Sequence, residues 1–398
     1  MNEAVTRRQT VARFGELPPM VRLLISTQLL FNIGFFMVLP YLAGHLVDDL
    51  ALAGWLVGLV LGLRTFSQQG MFLVGGLLTD RLGAKPVILA GIGVRVAGFV
   101  LLGASPDLAW VVVGAVLTGA GGALFSPAVE ASVAREAGPE QRTTAFALLA
   151  VCGEVGAVTG PLLGALVLKD FEVACLSAAG LFALIGAGHA RFLPRLPGEH
   201  RSEPLLDGWL EVLRNRVFLV FAVAYSGYLV SYNQLYLALP TELRAATGNE
   251  AALGWLFALA SVIVVFGQVP VTVLARRLLG PAKSVVAGFG LMAAAFAVVA
   301  LPLPGLVPAV SMVVLLTLGQ MLAVPSAQEL LPRLAGERRL GAYFGFLASV
   351  GGVAVLVCST AGGAVLGLGP VAWLLLALAP LGGAVVLAVL VTRGAFAR

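Results

Sequence analysis

Apolar residues occur in long stretches that alternate with short polar segments along nearly the whole chain. Most stretches contain roughly 20 residues or more, which is the length an α-helix needs to cross the hydrocarbon core of a bilayer. The pattern therefore predicts twelve membrane-spanning helices. Their expected ranges are 21–45, 55–78, 85–104, 108–130, 141–168, 173–193, 217–240, 253–276, 283–302, 307–331, 341–366 and 370–392.

Basic residues are distributed unevenly between the two ends of these helices. If the amino terminus lies in the cytoplasm, Lys169 and Arg244 fall on the outer side, and nearly all other Lys and Arg side chains face the cytoplasm. This asymmetry is typical of membrane proteins, whose cytoplasmic loops are rich in Lys and Arg. We therefore expect a multi-pass protein of the bacterial cytoplasmic membrane with both termini in the cytoplasm.

The composition supports a membrane protein and argues against a soluble domain. Hydrophobic residues make up 59% of the 398 residues and charged residues 11%, whereas about 25% of an ordinary soluble domain is charged. The net charge of +5 follows from the basic cytoplasmic loops, which lie next to anionic lipid headgroups. Membrane lipids are therefore expected partners, and a nucleic acid is not.

The chain contains an internal repeat at a spacing of about 200 residues, because Gly-Trp-Leu at 54–56 recurs at 254–256. A polar, proline-containing stretch at 194–216 separates the two copies. These observations predict an all-α membrane protein whose twelve transmembrane helices form two pseudo-symmetric six-helix bundles. The first bundle is expected at 1–193 and the second at 217–398, joined by a cytoplasmic linker at 194–216.

The short polar segment between the second and third predicted helices carries Gly76, Asp80, Arg81, Gly83 and Lys85. Its Gly-x-x-x-Asp-Arg-x-Gly-x-Lys pattern resembles the cytoplasmic loop between helices two and three of the major facilitator superfamily. The resemblance implies the twelve-helix fold of that family and a secondary transporter with alternating access, in which these residues belong to the cytoplasmic gate. A simpler interpretation is that Asp80 only pairs with Arg81 at the surface.

The fifth predicted helix carries Gly156, Gly160, Pro161 and Gly164. This Gly-x-x-x-Gly-Pro-x-x-Gly pattern resembles the antiporter motif of drug:proton exporters in the same superfamily. Glycines at that spacing let a neighbouring helix approach closely, although ordinary small-residue packing gives the same pattern. The arginine that the family often places in helix four is absent from 111–119, so a proton relay built on it does not carry over.

Three charged residues, Arg64, Arg95 and Glu154, lie deep within predicted spans, where a charge is unfavourable unless it is paired or faces water. We predict that Glu154, near the middle of helix five, is the main proton carrier and that Arg64 takes part in proton coupling. The alternatives are a Glu154 held permanently by Arg64 or Thr159, and arginines that cap backbone carbonyls or pair between helices. For Arg95 the structural role is favoured.

Two further acidic residues, Glu130 and Glu329, lie near the cytoplasmic ends of helices four and ten. We expect them to form ion pairs with loop arginines such as Arg81 or Arg276. Their predicted role is in the gate and not in substrate binding.

Polar and aromatic residues at helical spacing suggest a substrate cavity, since residues four apart share one face of a helix. A row of tyrosines can bind planar lipophilic molecules by stacking and by weak hydrogen bonds. The alternative is packing together with an aromatic belt at the outer interface, to which we assign Tyr236. The expected cavity residues are Gln28, Asn32, Tyr225, Tyr228, Tyr232 and Asn233.

The function predicted from these features is export of lipophilic, drug-like small molecules in exchange for protons, by a monomer. A proton-coupled transporter of one metabolite, such as a sugar or a siderophore, is the main alternative, and a membrane sensor that transports nothing is a third possibility. The sequence contains no nucleophilic side chain paired with a general base and no phosphate-binding loop, so an enzyme is not expected. The three cysteines and three histidines lack the spacing of metal ligands, so neither a cofactor nor a metal is expected.

Overall fold

The computed structural model describes residues 14–104, 107–167, 170–194, 212–335 and 340–396, which form helices joined by short turns and contain no strand. The predicted all-helical fold is confirmed in these residues. The helices are α1 (Pro19–Asp48), α2a (Gly54–Gly70), α2b (Phe72–Leu82), α3 (Ala84–Ala104), α4 (Leu108–Glu136), α5 (Gly138–Val167), α6 (Phe171–Phe192), α7 (Arg216–Thr247), α8 (Leu253–Leu278), α9 (Gly280–Val299), α10 (Val307–Leu334), α11 (Leu340–Val365) and α12 (Pro370–Thr392).

Nine of these helices are long and apolar enough to cross a membrane within the described part of the chain. The other three are α2, α7 and α8. Helix α2 is divided into two shorter segments, and α7 carries the tyrosine and amide side chains. In the described part of α8, the apolar stretch found covers Leu253–Gln268. Helix α7 also contacts α1 and α2a of the first half.

The segment expected as a loop between the second and third spans is mostly helical, which corrects the sequence-based prediction. Helix α2b continues to Leu82, so Asp80 and Arg81 lie in its last turn. The turn consists of Gly83 alone, and α3 begins at the next residue. Gly83 has a φ of 86°, a conformation that glycine adopts without steric cost and that ends a helix abruptly.

Helix packing follows the same scheme in the two halves of the chain. In the first half α1 packs on α5, and α3 packs on α4 and α6; in the second half α7 packs on α11, and α9 packs on α10 and α12. This correspondence is the one expected for two repeats. The bundle boundaries stay a prediction, and most of the proposed linker, at 195–211, lies outside the described residues.

The two halves meet along α2a with α11 and along α5 with α8. Glycines allow the first contact: a β-carbon at Gly54 or Gly58 would overlap the backbone of α11 at Gly363 or Ser359. Farther along α2a the approach is less close, since a β-carbon at Gly62 would lie 2.9 Å from Leu356 Cα. The halves are therefore closest at one end of the bundle.

We name the two ends of the bundle after residues that mark them. The Arg244 face carries Asp48, Arg244 and Glu250, and it is the end at which α2a and α11 approach most closely. The Gly83 face is the opposite end, where α2b turns into α3.

Candidate functional site

Glu154 lies in α5, which packs against α8 of the other half. The side chain of Ser261, on α8, is within hydrogen-bonding reach of its carboxylate. The alternative holder Thr159 donates its hydroxyl to the Val155 carbonyl oxygen at 2.7 Å. Arg64, the other alternative, bonds Gln68 on its own helix. Glu154 therefore lies at the junction of the halves, and its role as proton carrier stays a prediction.

Arg64 lies in α2a with 7% of its surface exposed. Its Nη2 donates to Gln68 Oε1, and the centre of its guanidinium lies 4.6 Å from the centroid of the Phe35 ring. Its Nε is buried and has no hydrogen-bond partner among the described residues. Tyr232 and Tyr236 of α7 are close enough to interact with it electrostatically, so the guanidinium group faces the second half.

Arg95 lies in α3, is 3% exposed and is enclosed by neighbouring groups. Its Nε donates to the Thr118 carbonyl oxygen at 3.2 Å. The guanidinium centre lies 4.4 Å from the Phe31 ring centroid and 4.9 Å from that of Phe35. Contact with a carbonyl and aromatic faces supports the structural role that the sequence favoured for this residue.

The tyrosines of α7 form a continuous row. Ring centroids lie 5.6 Å apart for Tyr225 and Tyr228, 6.2 Å apart for Tyr228 and Tyr232, and 5.9 Å apart for Tyr232 and Tyr236. The assignment of Tyr236 to an outer aromatic belt is wrong. Its side chain is buried, its ring lies 5.3 Å from that of Phe257, and it interacts with Arg64.

Asn233, predicted as a cavity residue, has its amide engaged in a contact between helices. Its Oδ1 accepts from Thr65 Oγ1 at 3.1 Å, and its Nδ2 donates to Ser359 Oγ at 2.8 Å. These bonds join α2a, α7 and α11 across the junction. Thr65, Ser359 and Ser261 were missed in the sequence; the available signal was their polarity within apolar helices, which does not identify a partner.

Gln28 and Asn32 share one face of α1, as expected. Gln28 Nε2 donates to Asn32 Oδ1 at 3.2 Å, and Asn32 Nδ2 donates to the Gly153 carbonyl oxygen at 3.0 Å. Both side chains are half-buried. Asn32 thus connects α1 to α5 one residue before Glu154.

The glycines of the antiporter motif bring α5 into close contact with α1. A β-carbon at Gly156 would lie 2.6 Å from Asn32 Cβ, and one at Gly160 would lie 2.7 Å from Phe36 Cβ. A β-carbon at Gly164 would overlap the backbone of α1. In addition, the carbonyl oxygen of Pro161 accepts a hydrogen bond from the hydroxyl of Tyr41 at 2.7 Å.

The gate residues of the first half occupy different surroundings. Lys85 Nζ donates to the carbonyl oxygens of Ala190 and Leu193, at 2.8 and 2.6 Å, and so caps the end of α6. Gly75 makes the close approach to α4 at the Ala123 carbonyl, whereas a β-carbon at Gly76 would meet no atom within 4 Å. The Asp80 side chain lies outside the described part of the structure.

Of the two carboxylates predicted to act in the gate, Glu130 and Glu329, one forms an ion pair with a described side chain. Among the described side chains Glu130 has no ion pair, so its predicted pairing with Arg81 is wrong. Glu329 Oε1 lies 3.1 Å from Arg333 Nη2, one turn later in α10. The side chain of Arg276 lies outside the described residues.

A charged cluster that the sequence-based site omitted closes the Arg244 face. Arg244 Nη1, on α7, lies 3.0 Å from Asp48 Oδ2 on α1 and 2.6 Å from Glu250 Oε1. Burial raises the pKa of Glu250 to about 7, with Arg244 acting in the opposite direction and Asp48 in the same one. A cavity of about 390 Å³ lies beside Arg244, between α1, α2a, α7 and α11.

The class of protein follows from this arrangement together with its relatives. The sequence profile of the Major Facilitator Superfamily matches residues 24–244. An uncharacterized MFS-type transporter of Mycobacterium tuberculosis (strain H37Rv) is 39% identical over 359 residues, which cover 87% of this chain and 85% of the relative. The chain belongs to the Major Facilitator Superfamily, and it is a multi-pass membrane transporter and not an enzyme.

One relative within the family has a named activity. The multidrug resistance protein MdtH of Escherichia coli (strain K12 / DH10B) is 32% identical over 326 residues, covering 81% of this chain and 80% of MdtH.

Solved structures show the same fold at low sequence identity. The peptide transporter POT in complex with sulfate has a TM-score of 0.81 at 14% identity, covering 96% of this chain and 98% of that one. A variant of the nucleoside transporter NupG has a TM-score of 0.78 at 14% identity, with coverage of 92% and 99%.

Proposed function

We propose that this transporter exports lipophilic, drug-like small molecules across the bacterial cytoplasmic membrane in exchange for protons. The observation that carries the proposal is the position of Glu154, a carboxylate on α5 within reach of Ser261 on α8. Alternating access changes the contact between these two helices. The likeness to MdtH, which is named a multidrug resistance protein, supports export of drug-like molecules.

The proposed exchange uses one carboxyl group in two environments. With the halves in contact, Glu154 is protonated and neutral. The neutral form has a lower free-energy cost at the apolar junction than a carboxylate. When water or a substrate reaches the junction, the charged form is solvated and the proton leaves. Proton binding and substrate binding then exclude each other, which is the requirement for antiport.

The conformational change breaks contacts that close the Arg244 face. The hydrogen bond from Thr65 to Asn233 and the ion pair between Asp48 and Arg244 both join the two halves. Opening of this face must break them. The described structure is therefore a state closed at the Arg244 face.

The distribution of basic residues supports placing the Gly83 face in the cytoplasm and the Arg244 face outside. Both termini are then cytoplasmic, the surrounding partners are membrane lipids, and the functional unit is a monomer. Reporter fusions after residues 201 and 248 are expected to report opposite sides of the membrane. Two reporters on one side would contradict this orientation.

Transport in proteoliposomes tests the proposal. Purified protein is reconstituted, a pH gradient is imposed, and accumulation of cationic, neutral and acidic fluorescent dyes is measured. We expect gradient-driven accumulation by the native protein, loss of it in Glu154→Gln, and retention in Glu172→Gln, whose side chain is exposed at the end of α6. Undiminished gradient-driven transport by Glu154→Gln, or saturable movement of one metabolite alone, would contradict the proposal.

A further inference from the structure

Two arginines lie inside the first half without a carboxylate partner in the part of the chain that the structure describes. Arg64 is 93% buried and Arg95 97% buried, from exposures of 7% and 3%. They are close enough to repel each other electrostatically. Among the described residues, neither forms an ion pair with an acidic side chain. Two adjacent buried cations without a counter-ion are unfavourable, so binding of an anion beside them would be stabilising.

Protein groups compensate the two charges unequally. Arg95 is covered by the Phe31, Phe35 and Phe182 rings and donates to a backbone carbonyl. Arg64 has one ring beneath it and one amide oxygen, and its Nε has no partner. Arg64 is therefore the less satisfied cation.

Arg64 is also the arginine that faces the junction of the halves. Tyr232 and Tyr236 interact with it electrostatically from α7, and Tyr232 also interacts with Glu154. The next residue, Thr65, is bonded to Asn233 of the second half. A guanidinium group with free donor capacity thus lies beside a row of aromatic rings, between α2a and α7.

We infer that the substrate carries an acidic group, such as a carboxylate, on a planar apolar body. This inference rests on the proposed function and narrows its substrate class. The acid binds the guanidinium of Arg64, whose planar fork matches a carboxylate, and the apolar body packs against the tyrosines of α7.

Binding of a matched pair of probes tests the inference. The probes are 2-naphthoate and 2-naphthamide, which share a ring system and differ in charge. We expect purified protein at pH 7.5 to bind the naphthoate at least about tenfold more tightly. Arg64→Lys is expected to reduce this preference and Arg64→Gln to remove it, whereas Arg191→Gln, at the exposed end of α6, retains it. Equal affinity for the two probes, or binding of neither, would overturn the inference.

Thermal unfolding without ligand separates an anion site from a bracing role. Removal of an uncompensated buried charge is expected to leave the Tm of Arg64→Gln unchanged or to raise it. If Arg64 only braces α2a through Gln68 and Phe35, Arg64→Gln lowers the Tm and Arg64→Lys restores it, and the inference is then wrong.

The probe experiment is independent of proton coupling. Glu154→Gln is expected to keep the preference for naphthoate, because Arg64 interacts with Gln68, Phe35 and the tyrosines of α7, and Glu154 is not among these partners. An acid preference without proton-driven transport would refute only the proposed exchange. Proton-driven transport of neutral or cationic dyes without an acid preference would refute only the acid site.

Discussion

At the residue scale, the main difference from expectation is that several polar side chains are already engaged by protein partners. Asn233 is bonded to Thr65 and Ser359, and Asn32 is bonded to the Gly153 carbonyl oxygen. Glu154 and Arg64 differ from these, because they lie at the junction with capacity for further contacts. The proposed transport chemistry therefore uses fewer residues than the sequence suggested.

Asn233→Leu is expected to weaken the closed Arg244 face while keeping the size of the side chain. It removes two hydrogen bonds, each with a net contribution of about 1 kcal/mol, and the one from Thr65 joins the two halves. Spin labels at Asp170→Cys and Asn249→Cys, with the native cysteines replaced, report the distance between the halves at this face. We expect a larger population of long distances.

Gln28→Leu is the matched control for this measurement. It removes a hydrogen bond that stays within α1, so the distance distribution should not change. An unaltered distribution in Asn233→Leu would show that its bonds do not hold the halves together.

At the element scale, glycines determine which helices meet. Those of α5 let it contact the backbone of α1, and those of α2a let it contact α11. At both contacts a β-carbon would come within 3 Å of a neighbouring atom. Side-chain volume at these positions therefore acts directly on helix packing.

Gly160→Ala is expected to lower stability by about 1–3 kcal/mol, because its β-carbon would lie 2.7 Å from Phe36 Cβ and 2.8 Å from the Ile33 carbonyl oxygen. Thermal unfolding in detergent measures this change. Gly180→Ala is the control, since no atom lies within 4 Å of a β-carbon there, and alanine favours a helix by about 1 kcal/mol. Equal stability of the two variants would contradict close packing of α5 on α1.

The charged cluster between α1 and α7 predicts that acid favours closure of the Arg244 face. Burial raises the pKa of Glu250 from 4.5 to about 7, and exposure in an open state returns it toward its ordinary value. The closed state therefore binds a proton more tightly between these pH values. The stabilisation of the closed state relative to the open state by this proton is complete below about pH 4.5 and is lost as the pH rises through about 7. The change is up to about 3 kcal/mol.

The same pair of spin labels checks this pH dependence. Arg244, Asp48 and Tyr41 are the groups that interact with the Glu250 carboxylate, and they remain unchanged in Glu250→Gln. We expect longer distances as the pH rises in the native protein and no such change in the variant. Longer distances on acidification would refute the assigned direction.

At the scale of the whole molecule, the fold was predictable because membrane thickness fixes the length of each apolar segment. The repeat and the glycine motifs further indicated how the helices pack. The partners of charged groups were not predictable. Asp48 and Arg244 are 196 residues apart in the chain, and Glu154 reaches Ser261 of the other half, so only the assembled bundle shows these pairs.

The sequence also placed the signature motif in a loop, which the structure corrects. A single glycine with positive φ is enough to reverse the chain at Gly83, so hydropathy alone set the end of the second helix too early. Likewise, Tyr236 followed the pattern of an interfacial aromatic residue, but contact with Phe257 buries it.

The central claim is that a single carboxyl group, Glu154, exchanges its proton for substrate. Proton release on substrate binding tests it most directly. A transported dye from the proteoliposome assay is added to purified protein in weakly buffered solution, and a pH indicator records the released protons. We predict release by the native protein and by Glu172→Gln, and none by Glu154→Gln that still binds the dye. Equal release by Glu154→Gln would contradict the account.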